Sequence, residues 1–217
     1  MKNMRKNRLY QITRGNTIVE NMESENTGLE CKPRLLLHSC CGPCSTSVIE
    51  KLMENFDITI LYYNPNITEQ REYLRRKINQ IKAIEFINQI SRDKVKMIDD
   101  EYCTETYFEY IKGYEDCEEG GARCSKCFSL RLYETARIAK EEKFHIFGTT
   151  LTVSPHKSYL KISTIGKNIS KKTGVLYLDG NFKKLDGYRR SVELSNKMGL
   201  YRQNYCGCEF SKWMDKS

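Results

Sequence analysis

The sequence has little proline, a single tryptophan and no long apolar segment: it has four prolines and one tryptophan among its 217 residues. No run approaches the roughly 18 apolar residues of a membrane-spanning helix, so we expect no such helix. The basic N-terminal stretch leads into a polar segment rather than an apolar one, which argues against a secretory signal. We therefore expect a cytoplasmic protein, in which reducing conditions disfavour structural disulfides.

Cysteine, by contrast, is abundant and clustered. Seven of the ten cysteines lie in three short segments: Cys40-Cys41-Gly-Pro-Cys44, Cys124-Ser-Lys-Cys127 and Cys206-Gly-Cys208. Neighbouring cysteines seldom have the separation and direction that a disulfide needs, whereas thiolates from separate segments can surround one metal centre. The spacings fit a zinc site and an iron–sulfur cluster equally well, and buried inert cysteines are a further alternative.

The pair Cys206-Gly-Cys208 differs from the other two clusters. A glycine between two thiols leaves a short, flexible loop that can close into a strained and therefore reducible disulfide. The alternative is that one or both of these cysteines are additional metal ligands. The isolated Cys31, Cys103 and Cys117 are expected to be ordinary buried or partly exposed residues.

The balance of charge is basic, with 36 lysines and arginines against 28 acidic residues and a net charge of +8. This excess suits a partner with a phosphate backbone, although it also serves plain solubility. The length is sufficient for one sizeable core and short for two. We expect a flexible polar leader over residues 1–30 and one catalytic domain over residues 31–217.

Strand and helix patterns alternate along the chain. The predicted strands cover residues 34–38, 58–63, 94–98, 145–151 and 175–179, and the predicted helices cover residues 45–54, 68–90, 105–112, 127–143, 157–172 and 188–198. In the second helix, isoleucines every third residue from Ile78 to Ile90 are expected to be buried, with Glu72, Arg75, Arg76 and Lys82 facing solvent. Such alternation predicts a single α/β domain, with a mostly parallel sheet of about five strands and its site at their carboxyl ends.

Several polar and aromatic residues allow two interpretations. His38 is more readily a satisfied core histidine than a ligand, and Tyr62, Tyr63 and Asn64 either line a pocket or only pack. The basic residues that either meet phosphates or form a solvated face are Lys157, Lys161, Lys167, Lys171 and Lys172, with Arg189, Arg190 and Arg202 near the third cysteine cluster.

Five motifs, taken in order, resemble the epoxyqueuosine reductase QueH family. They are Leu37-His-Ser-Cys-Cys-Gly-Pro-Cys44, Asn64-Pro-Asn66, Arg123-Cys-Ser-Lys-Cys-Phe128 with Arg131-Leu132, Thr149-Thr-Leu-Thr-Val-Ser-Pro155 and Tyr205-Cys-Gly-Cys208. The match covers nearly all of the chain after residue 33. It implies an oxidoreductase that removes the epoxide oxygen of epoxyqueuosine in the tRNA anticodon loop, the last step of queuosine biosynthesis.

The resemblance also implies cofactors and residue roles. A [4Fe-4S] cluster would be bound by Cys40, Cys41, Cys124 and Cys127, and Cys206 with Cys208 would form a redox-active disulfide. Cys44 would bind an additional iron. The implied partners are the anticodon stem-loop of tRNA and an electron donor that the sequence does not identify, with no membrane partner.

A separate similarity concerns the fold. A strand, a site-bearing turn and a helix at the start of a parallel sheet look like the PP-loop ATPase (HUP-like) type. Here the turn carries cysteines where those enzymes have a glycine-rich loop, which argues against ATP use. Two rival hypotheses stay open at this point: a zinc-stabilised RNA-binding module without catalytic activity, and a thiol oxidoreductase without any metal.

Overall fold

A parallel β-sheet organises the chain in the computed structural model, which describes residues 10–11, 32–184 and 186–211. The strands are β1 (Tyr10–Gln11), β2 (Arg34–His38), β3 (Asp57–Tyr62), β4 (Lys96–Asp99), β5 (Ile146–Thr149) and β6 (Leu176–Asp179). Their order is β1-β6-β5-β2-β3-β4, and every neighbouring pair is parallel. The predicted α/β class and all five predicted strands are therefore confirmed, and the two-residue β1 is added at one edge.

The helices cover both faces of this sheet. They are α1 (Gly42–Leu52), α2 (Gln70–Ile90), α3 (Thr104–Ile111), α4 (Ala122–Glu141), α5 (Tyr159–Thr173) and α6 (Gly187–Lys197). Successive side chains of a strand point to opposite faces, so Leu35 and Leu37 of β2 pack in the core beneath α1 and α2, whereas Leu36 packs in the core that includes α4 and α5. Two apolar layers thus enclose the sheet.

The strand order places a topological switch point at the centre of the sheet. From β2 the chain moves outward through β3 to β4, and it then returns to the other side of β2 through β5 and β6. Doubly wound sheets bind ligands at the carboxyl ends of the two strands where the direction reverses. Here those ends are His38 of β2 and Thr149 of β5, which are register neighbours.

Helix α2 departs from its predicted orientation. Glu72 and Arg76, predicted to face solvent, are buried, whereas Ile78 and Ile90 are exposed. Residues spaced by three drift around a helix of 3.6 residues per turn, so the isoleucines do not share one face. The buried face is set by Tyr73, Arg76, Asn79, Gln80, Ala83, Ile84 and Ile87, at spacings of three and four.

The predicted leader falls almost wholly outside the described residues. Of residues 1–30, only Tyr10–Gln11 are described, where the backbone pairs with Leu178–Asp179 at the edge of the sheet. Cys31 also lies outside the described part of the chain. Within the described part, no helix is both long enough and apolar enough to cross a membrane.

Candidate active site

The first cysteine cluster lies in the turn between β2 and α1. Cys40 and Cys41 precede the helix, which begins at Gly42 and carries Cys44 in its first turn. A Cβ atom on Gly42 would lie 2.3 Å from the carbonyl oxygen of Asn79, so only glycine allows α1 to approach α2 so closely. The glycine of this motif therefore fixes where the three thiols sit at the end of the sheet.

The second cluster lies at the start of α4, on the other face of the sheet. Cys124 and Cys127 occupy the first two turns of that helix, which begins five residues before the predicted start at residue 127. The guanidinium of Arg123 is buried and donates to the carbonyl oxygen of Glu115 at 2.6 Å and also to that of Cys117. These bonds tie the preceding acidic loop to the helix start and so define the direction from which α4 presents its thiols.

The third cluster lies in a loop near the C-terminal end of the described chain. Gly207 has φ of 109°, a region that L side chains rarely adopt. Cys208 belongs to the same buried apolar cluster as Cys40, Cys41 and Cys127, and Cys44 and Cys124 pack against that cluster. The fold thus brings thiols from all three segments together at one end of the sheet.

Hydrogen bonds between thiols set the protonation of the first cluster. The bond with Cys41, together with burial, raises the pKa of Cys40 well above its usual range. The bond from Cys41 lowers the pKa of Cys44 although burial opposes this. The amide of Gln203 donates to the Cys41 sulfur at 3.1 Å. Negative charge in this cluster is nevertheless most stable on Cys44, because only its pKa is lowered.

The second cluster does not behave as its helix position suggests. The dipole at a helix N-terminus favours thiolate, yet burial raises the pKa of Cys127 to about 11. Burial also raises the pKa of Cys124, although the backbone N–H of Gly120 donates to its sulfur at 3.2 Å. The helix dipole therefore does not decide the protonation of these two thiols, because desolvation is the larger effect.

The third cluster shares one proton between two sulfurs. A hydrogen bond from Cys208 lowers the pKa of Cys206 well below its usual range, and the cations Lys157, Arg131 and Arg76 add to this against the effect of burial. The same bond, together with burial, raises the pKa of Cys208. The pair is thus arranged as a Cys206 thiolate accepting from a Cys208 thiol.

Two cations lie among the thiols. Arg131, one turn after Cys127, is buried, and its Nη2 atom has no hydrogen-bond partner among the described residues. Burial opposes its charge, but Cys127, Cys206 and Cys40 raise the pKa of Arg131 overall. Lys157 is half-buried, and the pKa of its ammonium is raised in the same way by Cys206, Cys40 and Cys44.

These residues fit an anionic metal cluster. In residues 32–184 and 186–211, no group of three Cys, His, Asp or Glu side chains already stands close enough to hold a metal ion. The cysteine thiols nevertheless belong to one buried apolar cluster or pack against it. Thiolates are the ligands that iron–sulfur clusters take. An anion among them would also give the unpaired Nη2 of Arg131 the partner that it lacks.

A cavity of about 550 Å³ opens beside the thiols. Cys44 and Cys206 line it together with the cations Lys157 and Arg202. Two tyrosines, Tyr188 and Tyr205, also lie in its wall. Aromatic rings can stack on nucleobases and the cations can meet phosphates. The cavity therefore offers reactive sulfur, positive charge and stacking surfaces in one place.

Residues with two interpretations are now assigned. His38 is a satisfied core histidine, since its Nδ1 lies 3.0 Å from Thr149 Oγ1 and its Nε2 lies 3.1 Å from the carbonyl oxygen of Tyr63. Burial lowers the pKa of His38 to about 3. Tyr62, Tyr63 and Asn64 are buried and pack at the end of β3.

The lysines predicted to line one helical face around α5 have different environments. Lys167 forms an ion pair with Asp179 at 2.7 Å, and Lys161 donates to the carbonyl oxygen of Gly120 at 2.5 Å. Lys171 and Lys172 are exposed. Only Lys157, just before the helix, lines the cavity, so these lysines do not form one phosphate-binding face.

Sequence reasoning missed two residues of the site. Arg131 was part of a recognised motif but had no role, although its spacing of four from Cys127 places both on one helix face. Arg76 was predicted to be solvated, and it instead donates to the carbonyl oxygens of Cys206 and Tyr205 at 2.9 and 3.1 Å. No local pattern identifies Arg76, because these partners lie about 130 residues later in the chain.

Comparison with known proteins finds a matching family. Residues 35–214 match the sequence model of the protein family described as Epoxyqueuosine reductase QueH. The proteins named epoxyqueuosine reductase QueH of Staphylococcus aureus and Streptococcus pyogenes serotype M1 are 41% and 39% identical to the chain, over 83% and 84% of it and over 76% and 72% of their own lengths.

A solved structure is also similar in part. The U34-tRNA thiolase NcsA from Methanococcus maripaludis with its [4Fe-4S] cluster is 15% identical, with a TM-score of 0.48, over 83% of this chain and 62% of that one. A TM-score of this size does not establish a shared fold. The sequence relatives, by contrast, match most of the chain.

Proposed function

We propose how the residues of this chain perform the reaction of the epoxyqueuosine reductase QueH family, to which the chain belongs. The protein is an epoxyqueuosine reductase, an oxidoreductase that converts epoxyqueuosine to queuosine in tRNA as the last step of queuosine biosynthesis. A tRNA is therefore its substrate. The roles of individual residues, the bound cofactors and the part of the tRNA that enters the site are assigned as follows.

We assign Cys40, Cys41, Cys124 and Cys127 as ligands of a [4Fe-4S] cluster and Cys44 as a ligand of an additional iron. When bound, the cluster would relay electrons one at a time and the iron would act as a Lewis acid toward the epoxide oxygen. The assignment is supported by the burial of Cys40, Cys41 and Cys127 in one cluster against which Cys44 and Cys124 pack, and by the unpaired Nη2 of Arg131 beside Cys127.

We assign Cys206 and Cys208 as the redox-active pair. Conversion of an epoxide to an alkene breaks two C–O bonds, consumes two electrons and two protons, and releases water. A Cys206 thiolate and a Cys208 thiol supply both electrons and one proton when they close to a disulfide, and the Lys157 ammonium beside them can supply the second proton. An external electron donor must then reduce the disulfide for another turnover.

The cavity beside these thiols would receive the modified nucleotide from the anticodon loop. A base inside a stacked loop cannot reach buried sulfur, so it must be splayed outward. Tyr188 and Tyr205 can stack on the nucleotide, while Lys157 and Arg202 can meet its phosphates. The excess of basic residues supports the same anionic partner.

The observation that carries these assignments is the meeting of thiols from three separate segments at the carboxyl end of the sheet, beside one cavity. The test is an anaerobic reconstitution with iron and sulfide, followed by assay on tRNA that contains epoxyqueuosine. We expect a brown protein with broad absorption near about 400 nm, and digested nucleosides that have lost one oxygen by mass spectrometry.

A colourless protein that binds zinc and leaves the nucleoside unchanged would contradict the assignments. A matched variant, Cys103→Ser, changes a half-buried cysteine outside the three clusters and should behave as the unmodified protein. The cytoplasmic location and the identity of the electron donor stay predictions and are not addressed by this assay.

A further inference from the structure

The loop of the Cys206 and Cys208 pair is held by hydrogen bonds at every one of its carbonyl groups. The carbonyl oxygens of Tyr205 and Cys206 accept from Arg76 Nη2 at 3.1 Å and Nη1 at 2.9 Å. The carbonyl oxygen of Gly207 accepts from the backbone N–H of Thr68 at 3.1 Å, and that of Cys208 accepts from Ser211 Oγ at 2.8 Å. The first three of these carbonyls are thus fixed without a helix or a strand, and that of Cys208 also accepts from the backbone N–H of Ser211 at 3.1 Å, in the short 3-10 helix Glu209–Ser211.

The use of Thr68 explains a difference from the sequence prediction. The predicted helix over residues 68–90 includes Thr68, but the helix begins at Gln70 with Glu69 at the cap position. The Thr68 backbone instead binds the loop, as the Arg76 side chain does from further along the same helix. Both anchors therefore come from the start of α2.

Arg76 is itself firmly placed. Only 1% of its surface is exposed, and its Nε donates to Glu72 Oε1 at 2.7 Å, one helical turn earlier. The hydroxyl of Tyr201 donates to both carboxylate oxygens of Glu72 at 3.2 Å. A planar guanidinium can serve a carboxylate and two carbonyls at once, which a lysine ammonium on its flexible stem cannot do in the same geometry.

Gly207 completes the arrangement. A Cβ atom at this position would lie 3.0 Å from Arg76 Nη1 and 3.0 Å from Ile67 Cγ1, in addition to the strain of its positive φ. Glycine is therefore required for the guanidinium to reach the carbonyls on either side of Cys206. In this conformation Cys206 lines the cavity, whereas Cys208 is only 6% exposed.

We propose that Arg76, held by Glu72, is a positioning residue that fixes the loop so that Cys206 faces the cavity and Cys208 stays buried behind it. The inference rests on the proposed redox role of this pair. It assigns the order of the two thiols: Cys206 meets the substrate side first, and Cys208 is the thiol that closes the disulfide from the protein side.

The test compares the rates at which Cys206 and Cys208 are alkylated in the full-length, reduced protein. Iodoacetamide is the probe, isotopically labelled in short pulses, and fragment-ion mass spectrometry separates the two positions. In the unmodified protein Cys206 should react at least about tenfold faster, because Cys208 must wait for local opening. Arg76→Lys should reduce that ratio by about tenfold, since the charge remains but the two carbonyls lose their fork.

Two further variants keep the test decisive if a single substitution impairs folding. Glu72→Gln with Arg76→Gln removes both buried charges together, so neither is left without its partner. Gly207→Ala keeps both charges and pushes the loop and the Arg76 guanidinium apart. Both should reduce the alkylation ratio as Arg76→Lys does. Arg71→Gln removes an exposed charge from the same helix and should leave the ratio unchanged.

Turnover gives a second readout. The variants should lower kcat and leave the cluster absorption near its original value, because the thiols of the loop and not those of α1 and α4 have moved. An unchanged alkylation ratio in Arg76→Lys and Gly207→Ala would overturn the proposal, and so would equal acceleration at Cys40 and Cys127, which would indicate general loosening. Failure of the redox role appears differently: Cys206→Ser would then turn over normally while the alkylation ratios still shift.

Discussion

The two groups of thiols in this protein are held by different means. Cys40, Cys41 and Cys44 lie at the start of α1, and Cys124 and Cys127 lie at the start of α4, so the sheet and its helices fix their backbone. The loop of Cys206 and Cys208 depends on carbonyl hydrogen bonds from α2 and on a positive φ at Gly207. The first arrangement suits ligands that must stay in place, and the second suits thiols that must form and break a bond.

The largest expected effect comes from the helix-borne thiols. Cys127→Ser should abolish both the absorption of the iron–sulfur cluster and all turnover, because a cluster ligand is lost at a buried position. Iron and sulfide analysis with the nucleoside assay measures both. Cys103→Ser is the control, and a Cys127→Ser protein with full iron content would remove this residue from the ligand set.

Substitution of Cys206 or Cys208 should separate turnover from binding of the iron–sulfur cluster. Cys206→Ser and Cys208→Ser should abolish multiple turnover and leave iron and sulfide content unchanged, because the thiols supply electrons but do not bind the cluster. The same assays measure this. Loss of the cluster in either variant would erase the difference between the two groups and would add these cysteines to the ligands.

Much of this comparison was readable from the sequence. The three cysteine segments, the alternation of strands and helices, and the rule that parallel sheets carry their sites at the carboxyl ends together predict where the thiols meet. The family membership follows from the same motifs. Local patterns suffice here because each motif lies directly after a strand or at a helix start.

The support of the loop was not readable in the same way. Isoleucines every third residue from Ile78 to Ile90 suggested the wrong buried face of α2 and placed Arg76 in solvent. Its true environment depends on contact with a segment about 130 residues later in the chain, which no local periodicity contains. The protonation of Cys127 is a similar case, since burial by distant residues raises its pKa against the helix dipole.

Arg131 provides an intermediate effect that sharpens the comparison. Arg131→Met removes a buried charge that the surrounding thiols favour overall and the bond from Nε to the carbonyl oxygen of Cys127, so the metal-free protein should unfold at a lower temperature. The reduction potential of the bound cluster should fall, because a nearby positive charge no longer favours the added electron.

Calorimetry of the metal-free protein and a redox titration of the reconstituted protein measure these two quantities. Arg137→Met, on the exposed surface of the same helix with ion pairs to Glu134 and Glu141, is the matched control and should shift the potential little. A destabilised metal-free protein with an unchanged potential would show that Arg131 serves packing rather than the charge of the cluster.

The smallest effect is expected at the cavity wall, which serves both groups of thiols. Lys157→Gln and Arg202→Gln should each weaken tRNA binding a few-fold and reduce the slope of log Kd against log salt concentration by about 1, as loss of one phosphate contact does. Binding is measured by titration at several salt concentrations. Lys172→Gln, at an exposed position of α5, removes the same charge away from the cavity wall. An equal change in slope in that control would mean that charge over the whole surface binds the tRNA. The cavity wall beside the two groups of thiols would then make no specific contribution to binding.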